Sequence, residues 1–89
     1  MSKRDHAKWL GIYDSSPVAD VDTKANYRKQ SSYDIGDTWE PPRQSTGQHL
    51  RLDMTEALYA GCAVEVRDGV VTIQSPYPMG GLIRYTPAN

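Results

Sequence analysis

Asp20-Val-Asp22 is the first place in the chain where side chains could do chemistry. Two carboxylates at that spacing can share a divalent cation. Phosphoryl chemistry on such a pair also needs further carboxylates and a phosphate cradle. Asp34 and Asp37 add local negative charge, but no cradle accompanies them. An enzyme built on Asp20, Asp22 and His49 would need those groups held in mutual geometry, and their spacing does not advertise it.

Metal ligation meets a similar shortage. His6 and His49 are the only histidines, and Cys62 is a lone thiol. None of the C-x-x-C, H-x-x-x-H and H-E-x-x-H patterns occurs, so a zinc site has too few ligands. Cys62 could act as a nucleophile with His49 as its base. It directly follows the end of a predicted helix, however, where the dipole disfavours a thiolate. A small buried apolar role is expected instead. Gly80-Gly81 follows prolines and lacks the spacing of a phosphate-binding loop, so it reads as a turn. The expectation is a protein that is not an enzyme and has no catalytic, cofactor or metal site.

Binding residues are easier to nominate. The chain has no Phe but six Tyr and two Trp. Trp9, Tyr13, Tyr27, Tyr33 and Trp39 lie in the N-terminal half, where periodicity is weakest. Tyr and Trp combine an apolar body with a polar tip and are enriched at protein–protein hot spots. Trp9, Tyr13, Trp39 and Tyr77 are the candidate partner-binding set. Asn26-Tyr-Arg-Lys-Gln-Ser-Ser-Tyr33 gives an alternative, because it interleaves aromatic and basic residues. Tyr27 and Tyr33 would stack on bases while Arg28 and Lys29 meet phosphates.

Composition narrows these choices. An 89-residue chain makes one small domain, and hydrophobic residues are only 38%. The mean hydropathy is -0.64. Formal net charge is -1, from ten Lys and Arg against eleven Asp and Glu. Residues 1–45 hold seven basic and seven acidic side chains, and residues 46–89 hold three and four. A dedicated nucleic-acid binder usually carries a basic excess, and a nucleic-acid mimic an acidic one. A single cysteine allows no internal disulfide, as expected in a reducing compartment. The first residues lack the apolar core of a secretory signal, and no apolar run reaches the ~20 residues that span a bilayer. The expected location is cytoplasmic, with no membrane partner.

The elements that must position these residues are clearest after His49. Asp53 reads as a helix cap, with Glu56 completing a capping box, and Gly61 sits where a helix ends. A short helix over about 53–60 follows. Asp68-Gly69 reads as a type I′ hairpin turn. It pairs Arg67 with Val70, Val66 with Val71, Glu65 with Thr72 and Val64 with Ile73. That register places Val64, Val66, Val71 and Ile73 on one face, and Glu65, Arg67, Val70 and Thr72 on the other. Leu82–Thr86 looks like a third strand. Earlier in the chain, Thr23–Gln30 reads as a possible short helix. Residues 40–48, with tandem prolines, read as a linker.

The fold class expected is α+β: a small antiparallel sheet of three or more strands, including the 63–74 hairpin, packed by the short helix. Residues 49–89 form the compact core. Residues 1–48 form an irregular arm or supply extra strands. An exposed strand edge could pair with a second copy to give a homodimer. In general character the chain is similar to accessory proteins of phages and mobile elements. The expected function is a small protein-binding module that inhibits a host defence or nucleic-acid-processing complex. Single-stranded nucleic-acid or nucleotide binding is the alternative, followed by a structural or assembly role.

Overall fold

The structure is a computed structural model that describes residues 5–34, 36–75 and 81–88. It is an α+β fold: a five-stranded antiparallel sheet and two helices, one of them packed on the sheet. The chain runs α1 (His6–Tyr13), a 3-10 turn (Val18–Asp20), β1 (Asn26–Ser32), β2 (Arg43–Thr46), α2 (Gly47–Tyr59), β3 (Val64–Arg67), β4 (Val70–Gln74) and β5 (Leu82–Pro87). Strand order across the sheet is β2-β1-β5-β4-β3.

The C-terminal hairpin forms as its sequence requires. Val64 pairs with Ile73, Glu65 with Thr72, Val66 with Val71 and Arg67 with Val70. Asp68 and Gly69 both have positive φ, 53° and 81°, which a type I′ turn demands. Gly61 also has positive φ, just beyond the last turn of α2. Val71 and Ile73 are buried. Val66 shares that face through its pairing with Val71, but on the edge strand it is 50% exposed.

Three further expectations give way. The helix starts at Gly47 instead of near Asp53. Thr46 is the N-cap, its Oγ1 accepting from the His49 amide at 3.3 Å. Asp53 lies inside the helix on the sheet side, where Lys29 and Tyr85 meet it. The physical reason is the stripe Leu50, Met54 and Ala57, all buried, whose spacing carries the helix back past Asp53. Residues 40–48, read as a linker, contain β2 and the start of α2. Thr23–Gln30, read as a possible helix, instead leads into β1, which pairs with both β2 and β5. Tyr27, Lys29 and Ser31 alternate with Arg28 and Gln30 at the period of a strand.

The core is small. Val18, Leu50, Met54, Ala57, Val71, Ile73 and Tyr85 are buried, with Ile12, Val21, Tyr27, Leu58, Cys62, Val64 and Ile83 packed around them. All of it lies on one side of the sheet, under α2. Helix α1 then packs on α2. No described helix is long and apolar enough to cross a membrane.

Gly47 fixes how the 3-10 region meets the helix. A Cβ at this position would fall 1.8 Å from the Asp22 carbonyl oxygen, and the Gly47 amide donates to Ala25 O at 2.9 Å. Gly47→Ala is therefore expected to destabilise the fold by about 1–3 kcal/mol, as overpacking does, read as a lower urea midpoint with an unchanged slope.

Candidate functional site

The aromatic set nominated for partner binding is divided by the fold. Trp9 and Tyr13 stack on each other along α1, with ring centroids 5.3 Å apart. Both serve the α1–α2 contact. The Trp9 indole donates to Glu56 Oε2 at 2.8 Å, and the Arg51 guanidinium lies 3.9 Å from the Tyr13 ring centroid. Arg51 also donates to the Tyr13 carbonyl at 2.8 Å. Trp39 sits elsewhere, on the opposite face of the sheet. Tyr77 lies outside the described residues.

Strand alternation divides the second set as well. Tyr27 turns inward and meets Tyr85 edge to face at 6.2 Å. Lys29 lies on the same side, its Nζ 3.2 Å from Asp53 Oδ2. Tyr33, 66% exposed, follows the end of β1. Arg28 alone points to the other face. The four residues share one strand and its end but do not form one surface.

The residues considered for catalysis are scattered too. Asp22 Oδ1 caps a turn by accepting from the Lys24 amide at 3.0 Å. Asp20 and His49 are exposed, on the 3-10 turn and the first turn of α2. Cys62 is half-buried against the core. Among the described residues, no group of three or more His, Cys, Asp or Glu could hold a metal ion.

What sequence reading missed is the uncovered face of the sheet. The registers define it in rows running from β2 to β3. One row is Gln44, Arg28, Thr86, Val70 and Arg67. The next holds Gln30, Arg84, Thr72 and Glu65. Asn26 and Thr46 extend it at one end, and Ser32, Leu82 and Gln74 at the other. Amides, hydroxyls and arginines dominate. Among the strand residues of this face three arginines face a single glutamate, although the whole chain is net -1.

Trp39 is fixed onto this face by an unexpected residue, Asp34. Its Oδ1 accepts from the Thr38 amide at 2.8 Å and from the buried Ser32 hydroxyl at 2.9 Å. Ser32 Oγ in turn accepts from the Gly36 amide at 2.8 Å. These bonds, the Thr38 amide first and Ser32 second, hold the Asp34 carboxyl below its ordinary pKa. The loop so ordered lays Trp39 over Arg84, whose guanidinium carbon is 4.0 Å from the ring centroid. Such stacking is a cation–π contact. Arg84 also donates to Gln30 Oε1 at 2.9 Å, and Gln30 Nε2 to the Glu40 carbonyl at 3.2 Å.

Arg28 is different, because its side chain makes no hydrogen bond or ion pair among the described residues. It stands beside a shallow depression of about 340 Å3 lined by Asn26, Arg28, Pro42, Arg43, Gln44 and Ala88. Among the described residues no carboxylate lines this depression. Its chemistry suits hydrogen-bonding and anionic groups more than apolar ones.

No family model, curated protein or solved structure matches this chain.

On the covered side, Tyr85 donates its hydroxyl to Asp53 Oδ2. Burial first, and the bond to Asp53 next, push this phenol well above its usual pKa. A raised folded-state value leaves its contribution intact below the unfolded value of about 10 and erodes it above that pH. Unfolding free energy measured from pH 8 to pH 11 is therefore expected to fall above about pH 10, by up to ~1.4 kcal/mol per unit. Tyr85→Phe is expected to flatten that fall.

Proposed function

We propose that the protein is a non-enzymatic protein-binding module that engages an acidic surface of its partner through the uncovered sheet face. The observation that carries this reading is the pair Arg28 and Arg84 on the middle strands of that face, neither of them ion-paired among the described residues. Arginine and tryptophan are the side chains most often found at binding hot spots, and Trp39 stands against Arg84. The amides and hydroxyls around them can complete hydrogen bonds at the rim. Inhibition of a host complex then takes a narrower form, in which the target exposes an acidic face. A cationic sheet does not imitate nucleic acid, so blocking by mimicry is not the mode proposed.

Single-stranded nucleic acid is the second reading, favoured by unpaired Arg28 beside Asn26 and Gln44. It ranks lower because the strands place no aromatic side chain on this face for bases to stack on. Tyr27 turns to the core, and Trp39 comes from a loop and already carries Arg84 on its ring.

Capture from a bacterial lysate with nuclease present tests the reading when wild type is compared with Arg84→Glu and Lys8→Glu. A stoichiometric protein partner is expected for wild type and for Lys8→Glu, which alters α1 on the far side. Arg84→Glu is expected to lose it, since a reversed charge against an acidic face costs about 2 kcal/mol or more. Partners that vanish with nuclease, and binding that falls steeply with salt, would support the nucleic-acid reading instead.

A further inference from the structure

The two edges of the sheet are not equivalent. β2 is a four-residue edge entered through Pro41-Pro42, and proline blunts an edge. β3 is the other edge and carries no proline, bulge or covering strand among the described residues. Its outward backbone groups follow from the hairpin. A two-residue turn makes Arg67 and Val70 a hydrogen-bonded pair, and such pairs alternate along an antiparallel ladder. Glu65–Thr72 is then bonded as well, and the Gln74 amide donating to Ala63 O at 2.9 Å continues the same phase. The N–H and C=O of Val64 and Val66 therefore point out of the sheet, toward whatever lies beside β3.

The side chains of β3 are self-complementary about Val66. Glu65 and Arg67 flank it on the uncovered face, 3.4 Å apart and with side chains 63% and 76% exposed. Val66 itself projects on the other face and is 50% exposed. Place a second β3 antiparallel to the first, with the two-fold axis at Val66. Val66 then meets its own copy as a hydrogen-bonded pair, which its outward backbone groups require. Glu65 lies opposite Arg67 of the copy, and Arg67 opposite Glu65. Opposite charges directly across a sheet stabilise the pairing, and like charges oppose it. The half-exposed valines would cover each other on the helix side.

We propose that the chain forms a two-fold homodimer through β3, joining two five-stranded sheets into one continuous sheet in the register Val66 to Val66. The occupant of this edge is a second copy because the Glu65–Val66–Arg67 order complements itself under a two-fold axis. A four-residue edge is a small interface, so the dimer dissociates on dilution. The uncovered faces of the two copies become one surface, and Arg28 and Arg84 lie away from the new contact.

Sedimentation from micromolar to millimolar protein tests this, comparing wild type with Glu65→Arg and Arg67→Glu. Wild type is expected to shift toward twice the 9.9 kDa chain mass as concentration rises. Each variant alone places like charges opposite each other and is expected to stay monomeric over the same range. An equimolar mixture of the two variants restores both cross-pairs and is expected to regain association. Both positions are exposed, and matching circular dichroism spectra confirm that the fold is kept. A wild type that stays monomeric at millimolar protein overturns the proposal. So does association that survives either variant alone, or a variant mixture that remains monomeric.

Discussion

The Asp53 carboxylate ties the molecule together. It projects from the middle of α2, accepts the hydroxyl of Tyr85 from the central strand β5, and faces Lys29 of β1 at 3.2 Å. Tyr85 is fully buried, so its hydroxyl must find a partner in the interior or impose a desolvation penalty of about 1–3 kcal/mol. Asp53 supplies that partner, and Lys29 offsets the charge this brings toward the core. The pairing sets where α2 can lie. It also explains why a lysine is tolerated on the helix-covered side of a strand: its ammonium meets Asp53 and lies over the Tyr85 ring, with Nζ 5.7 Å from the centroid.

With α2 held over Tyr85, Val71 and Ile73, the buried core lies on one side of the sheet. Helix α1 settles on α2 through Trp9, Tyr13 and Arg51. Aromatic side chains that look available in the sequence are therefore used in building the helical layer. The opposite face receives no helix among the described residues. Its strand side chains are mostly polar because water can solvate that side of an antiparallel sheet. A local cationic surface thus coexists with a balanced overall charge. Net charge describes the chain, whereas alternation along β1 and β5 sorts Arg28 and Arg84 onto one side of it.

Legibility in the sequence followed the range of the interaction. The β3–β4 hairpin was readable because Asp68-Gly69 fixes both turn type and register within a few residues. The end of α2 was readable for the same local reason, through Gly61. Its start was not. Asp53 and Glu56 have the spacing of a capping box, yet Asp53 is engaged by Tyr85, 32 residues away. Pro41-Pro42 suggested a linker, but the residues after it pair with β1, which supplies partners the local sequence does not reveal. The makeup of the uncovered face was hidden for a related reason. Arg28 and Arg84 become neighbours only through the β1–β5 register, and Trp39 joins them only through the loop that Asp34 organises. Asp34-x-x-x-Thr38 behind Ser32 was the one local hint of that loop.

The two tryptophans report on opposite sides of the molecule, Trp9 in the helical layer and Trp39 on the uncovered face. Their indole N–H groups give two separate signals in an amide correlation spectrum. The most direct measurement of the proposed recognition is a titration of the labelled chain with a protein recovered by the lysate capture, followed at those two signals. Recognition through the uncovered sheet face predicts that the Trp39 indole and the backbone amides of Arg28, Gln30, Arg84 and Thr86 shift, while the Trp9 indole stays in place. A shift at Trp9 with Trp39 unmoved would place recognition on the helical layer and contradict it.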